Sequence, residues 1–138
     1  MSKPSYLDEE ILLNPEKRVF PKFDLVNLLD TVFAPTRGCR VCILVDFESP
    51  QLWIKDFAFR NQDGFEVQNN AYTYFYEELR AGALEELGMT GGEMFAYKYT
   101  YGSNLDLSDE VWDTDGNRLS LDDDIYSKYD IVLCISTW

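Results

Sequence analysis

Apolar residues along the chain fall into two patterns, runs spaced for helix and unbroken runs suited to buried strand. From Asp24 to Phe33 the positions Leu25, Leu28, Leu29, Val32 and Phe33 recur three and four apart, which places them on one helical face. Asp24 supplies an N-cap acceptor and Pro35 a stop, so an amphipathic helix is predicted there. Val41-Cys42-Ile43-Leu44-Val45 is apolar throughout and ends in Asp46 and Phe47. Such a run predicts a strand covered on both faces, as at the centre of a parallel sheet. Ser49-Pro50 pairs a cap residue with a first-turn proline and predicts a helix whose apolar side is Leu52, Trp53, Ile54, Phe57 and Phe59.

Asn61-Gln62-Asp63-Gly64 and Asn69-Asn70 read as loops. Between Ala71 and Leu87, the set Tyr72, Phe75, Tyr76, Leu79, Ala83, Leu84 and Leu87 keeps the helical period, and Gly88 ends it. Met94–Tyr99 predicts a second strand, introduced by Gly91-Gly92. Val111-Trp112 and Leu119–Leu121, joined through Asp113–Asn117, predict a hairpin inserted after it. A turn from Ile125 to Tyr129 leads to a third buried strand, Ile131–Ile135. Residues 1–23 carry Pro4, Pro15 and Pro21 without a sustained period and read as a surface leader. Residues 24–138 are expected to form a single α/β domain of three layers. Its sheet is short and mostly parallel, with flanking helices and right-handed crossovers. The last strand ends close to Trp138, where a parallel sheet ordinarily begins a ligand-binding loop. Either this is a small self-contained domain or, the reading preferred here, it is the amino-terminal part of something longer.

Composition narrows the function classes. Twelve Lys and Arg against 25 Asp and Glu leave a net charge of −13, which argues against direct nucleic-acid binding through phosphates. No apolar window is long enough to span a membrane, and the first ten residues turn acidic where a signal peptide would be apolar. Three cysteines do not make a disulfide framework, so a reducing, cytoplasmic setting is expected.

Candidate chemistry is sparse. Cys39-Arg40-Val41-Cys42 has C-x-x-C spacing, but it leads into a strand, where residues three apart point to opposite faces. With no histidine and only Cys134 besides, four zinc ligands are not on offer. The same lack of histidine excludes any Ser-His or Cys-His nucleophile pair within this chain. Asp113–Arg118 followed by Asp122-Asp123-Asp124 has oxygens at calcium-loop positions, yet Arg118 stands where the loop needs glycine. A hairpin tip fits better. No glycine-rich phosphate loop follows the first strand; Asp46 and Glu48 stand there instead, and their charge repels phosphate. If the strands are parallel, their carboxyl ends gather Asp46, Glu48 and Ser49 from the first, Thr100 and Tyr101 from the second, and Ser136 and Thr137 from the third. Asp46, Glu48, Ser49, Tyr101, Ser136 and Thr137 are the candidate substrate-binding residues. No catalytic or metal residue is assigned.

At Gly38–Phe47, Arg80-Ala81-Gly82-Ala83 and Tyr129–Thr137 the chain resembles the amino-terminal domain of the aminopeptidase T family of metallopeptidases. There a G-x-R-V strand ends in Asp, a long helix follows, and a further strand ends in Ser or Thr. The resemblance implies a substrate-cleft or scaffold domain of an aminopeptidase-like metallohydrolase. It places the divalent metals on His, Glu and Asp of a later region absent from this sequence. The chain alone is then inactive and needs no cofactor of its own, and its partner is a carboxy-terminal catalytic domain or a second copy. A different class is suggested by residues 101–130, where nine acidic residues face Arg118 and Lys128, a net of −7. That charge, interleaved with aromatics, would suit a stand-alone acidic interaction protein. Such a protein could mimic DNA phosphates toward a basic partner.

Overall fold

The computed structural model describes residues 24–100 and 108–137. The proposed leader, residues 1–23, and Tyr101 lie outside them.

Helix α1 (Leu25–Phe33) opens on Asp24, whose carboxylate accepts the Asn27 N–H at 3.1 Å, and closes on Ala34 in the left-handed region. Leu25 and Leu29 are buried, whereas Val32 and Phe33 of the expected apolar face are exposed. Strand β1 (Arg40–Phe47) is buried from Val41 onward. Its side chains alternate between two cores. Val41, Ile43, Val45 and Phe47 face one layer with Leu29, Phe59, Ala71 and Leu79, while Cys42 and Leu44 face the other with Val111, Leu121 and Ile125. The two cysteines of the C-x-x-C pair accordingly pack in different layers, Cys39 against the first and Cys42 within the second.

The helix opened by Pro50 is short. After α2 (Pro50–Ile54) the chain tightens into a 3₁₀ segment, Lys55–Asn61, in which Asp56 and Phe57 take left-handed backbone angles. The break leaves Leu52 exposed and turns Phe57 onto Tyr72 and Tyr76, with ring centroids 5.1 Å away in both cases. Asn69-Asn70 are not a loop. They lie in α3 (Glu66–Ala71), which runs on through π-helical segments Tyr72–Tyr76 and Leu79–Ala83, with a kink at Gly82 where φ is 149°, into α4 (Leu84–Leu87). Asn69 carries its side chain back to the Phe59 and Phe65 carbonyls, which explains a turn-former inside a helix. Gly88, at φ 67°, terminates the arm.

Strand β2 (Thr90–Lys98) includes the glycine pair that was expected to precede it. Val41 pairs with Gly91 and Cys42 with Glu93, so Gly92 is an extra residue at a bulge. Strands β3 (Glu110–Trp112) and β4 (Arg118–Ser120) form the expected hairpin, which extends the sheet through the antiparallel pairing of β3 with β2. A π-helical turn, Leu121–Tyr126, precedes β5 (Ile131–Ile135). The sheet order is β4-β3-β2-β1-β5, with β1 parallel to both β2 and β5 and the hairpin strands antiparallel. This is the expected α/β fold, with a mixed sheet of five strands and a parallel centre. No helix among the described residues is long and apolar enough to cross a membrane.

Candidate functional site

Because β1, β2 and β5 run the same way, their carboxyl ends share one rim. Asp46 sits there at the end of β1, 1% exposed. A buried carboxylate is costly unless hydrogen-bonded, and this one is. Its Oδ1 accepts from the Thr137 backbone N–H at 2.9 Å and from the Thr137 hydroxyl at 2.9 Å. Oδ2 shares the same N–H at 3.1 Å. Gln68, 2% exposed on α3, donates its side-chain amide to the Asp46 carbonyl and to Thr137 Oγ1 at 3.2 Å. One helix and two strand ends are thus tied at a single residue.

Beside this clasp, Tyr97 of β2 reaches over β1, and its hydroxyl lies 3.3 Å from Cys134 Sγ on β5. Burial, then the contact with Cys134, pushes the Tyr97 phenol well above its ordinary range, so it remains protonated. Ser136 also hydrogen-bonds this phenol. Of the sequence-derived candidates, the structure joins Asp46 directly to Thr137 and places Ser136 next to them. Glu48 and Ser49 lie two and three residues beyond Asp46 with exposed side chains. Ser49 holds the N-cap position of α2 without a side-chain capping bond.

Gln68 was missed, although a signal existed. Gln68, Ala71, Leu79 and Ala83 follow helical spacing and all are buried, so Gln68 is a polar residue in an apolar stripe. The reading of Asn69-Asn70 as loop removed that register.

Both oxygens of Asp46 accept from Thr137, and no group of three His, Cys, Asp or Glu side chains with metal-site placement occurs among the described residues. Cys42 is buried against Glu93, and burial pushes its thiol up to about 12. Cys39 is also raised, by burial and by Asp130, so neither sulfur of the pair is a ready thiolate.

The acidic hairpin uses its carboxylates locally. Asp113 accepts the backbone N–H groups of Asp115 at 3.0 Å and Asn117 at 2.9 Å, closing the tip. Asp109 accepts Asp122 N–H and the Ser120 hydroxyl, and Asp124 accepts Ser120 N–H.

Compared with known proteins, the chain matches no family model, no curated protein and no solved structure.

Proposed function

We propose that this chain is a non-catalytic domain of an aminopeptidase-like metallohydrolase, and that its carboxyl rim forms one wall of the substrate cleft. The observation that carries this reading is the buried Asp46 clasp. Its carboxylate holds the Thr137 N–H and hydroxyl, and its backbone carbonyl holds Gln68 of α3. A carboxylate so engaged positions its surroundings. Glu48 remains exposed just outside it. An outward carboxylate beside a rigid rim suits the free α-ammonium of a peptide substrate, which the aminopeptidase resemblance implies. Chemistry is then supplied by a partner domain. The phosphate-mimic reading draws less support, because Asp109, Asp113 and Asp124 turn toward their own backbone N–H groups.

The test is an isotope-edited NMR titration of the chain with leucinamide, against N-acetyl-leucinamide, which lacks the ammonium. The reading expects shifts confined to Glu48, Ser49 and Thr100 with leucinamide alone, lost in Glu48→Gln. Equal responses to both compounds, or none at millimolar ligand, overturn the substrate-wall role. Hydrolysis of leucyl-p-nitroanilide by the chain itself would overturn the non-catalytic one.

A further inference from the structure

The two edges of the sheet are defended unequally. β4 is three residues long, carries Arg118 in an ion pair with Glu110 at 3.0 Å, and adjoins the acidic turn. Shortness and charge are the usual protections of an edge. β5 has neither. Ile131-Val132-Leu133-Cys134-Ile135 contains no charge and no proline. Among the described residues it pairs with β1 alone, from Val41–Ile131 to Val45–Ile135. Only Ile131 is buried; Val132, Leu133 and Ile135 are half-buried and Cys134 is exposed, which is unusual for a parallel strand in a covered sheet.

The hydrogen-bond phase of this edge is fixed. Thr90 donates its N–H to the Cys39 carbonyl and Tyr99 to the Phe47 carbonyl, so the backbone groups of odd-numbered β1 residues face β2 and those of Cys42 and Leu44 face β5. With Val41 opposite Ile131, alternation turns the N–H and C=O groups of Ile131, Leu133 and Ile135 toward β1 and those of Val132 and Cys134 outward. We propose that β5 pairs with β5 of a second copy, antiparallel about a two-fold axis at Leu133, to give a continuous sheet across a homodimer. This register brings Leu133 opposite its own equivalent as a pair without backbone bonds, while Val132 and Cys134 of opposite copies exchange both of theirs. Asp130 falls opposite Ser136 of the second copy, so no like charges meet along the seam. In a molecule of net charge −13 that neutrality favours this edge over β4 for self-contact. Val132 falls opposite Cys134 of the other copy. Both belong to the face of the sheet that carries Tyr97, through packing for Val132 and through the 3.3 Å hydroxyl contact for Cys134. Isologous pairing of this kind closes on itself and does not propagate. The proposal is independent of the substrate-wall reading, since it uses the strand edge and leaves the rim open.

Sedimentation velocity on the 138-residue chain tests it. A dimer is expected whose population grows with protein concentration and with added salt, because salt screens the repulsion between two acidic molecules while the seam carries no charge. Cys134→Pro removes an outward N–H and spares the bonds to β1, so it is expected to give a monomer with unchanged circular dichroism. A chain that stays monomeric at millimolar concentration and high salt overturns the proposal, as does a dimer that survives Cys134→Pro. Should that variant fail to fold, Val132→Cys decides. Under copper-phenanthroline oxidation it is expected to form a disulfide-linked dimer that Cys134→Ser abolishes, because directly opposed residues lie within disulfide reach. Failure to cross-link overturns the register and the dimer with it.

Discussion

At the scale of single residues, Asp46 shows how a polar group is accommodated in a nearly dry position. Its carboxylate is more than a tolerated charge, because it satisfies a backbone N–H and a hydroxyl just past the end of β5. Gln68 completes the arrangement by donating to the Asp46 carbonyl from the helical layer. Asp46→Asn keeps the volume but turns one acceptor into a donor facing Thr137. It is expected to lower stability by about 2 kcal/mol, the scale of losing a charge-assisted bond and leaving a buried donor unpaired. Urea unfolding would report this as a lower midpoint at unchanged slope. Thr137→Val, which keeps the backbone N–H, should lose less. Equal stability of Asp46→Asn and wild type would reduce the clasp to a bystander. Asp46 was legible from the sequence because it ends an apolar run. Its partner Gln68 was not, because the helix that carries it begins earlier than the asparagines suggested.

Among the elements, β1 was read most faithfully, as a continuous apolar run buried from Val41 onward. β5 lies where it was expected, but it is an edge strand of which only Ile131 is buried, because an apolar run alone does not distinguish a central strand from an edge. Departures came where tertiary contacts overrule local preference. The Pro50 helix breaks at Asp56 and Phe57 because the left-handed turn delivers Phe57 and Phe59 into a cluster with Phe47, Tyr72 and Tyr76. Arg60 and Arg80 close the stacked Tyr72–Tyr76 pair, lying 4.2 and 4.6 Å from the respective ring centroids. The glycine pair resembled a strand-entry turn and proved to be the bulge that sets the β1–β2 register. Gly91, at φ 91°, could not accept a side chain there, because a Cβ would stand 2.5 Å from the Val41 carbonyl oxygen. Backbone cannot yield as a flexible side chain can. Gly91→Ala is therefore expected to cost about 3 kcal/mol or more. Gly82→Ala, also at positive φ but with open space around the Cβ, should cost less. Thermal unfolding of the two variants side by side checks the order. A Gly91→Ala protein as stable as Gly82→Ala would mean the bulge is adjustable.

For the molecule as a whole, charge and fold pull in opposite directions. A net charge of −13 disfavours compactness, yet several acids are placed where the fold benefits from their ionisation. The Asp122 backbone N–H, aided by the Ser120 hydroxyl, holds the Asp109 carboxyl below its usual range. The Ser120 backbone N–H, aided by Lys128, does the same for Asp124. Both groups therefore bind protons less readily folded than unfolded. The stability they contribute is complete above the ordinary aspartate value of about 3.9 and is lost as pH falls through the lower folded values. Removing both charges by Asp109→Asn with Asp124→Asn has two opposed effects, relief of general repulsion and loss of these local bonds. At physiological salt, screening over about 8 Å weakens the first and leaves the second almost intact, so the local effect should win. The double variant is expected to melt below wild type at neutral pH. The gap should narrow as pH drops below about 4 and close once the wild-type carboxyls are protonated. A double variant that melts higher at neutral pH would show that long-range repulsion governs this surface, with the hairpin's hydrogen bonds secondary to it.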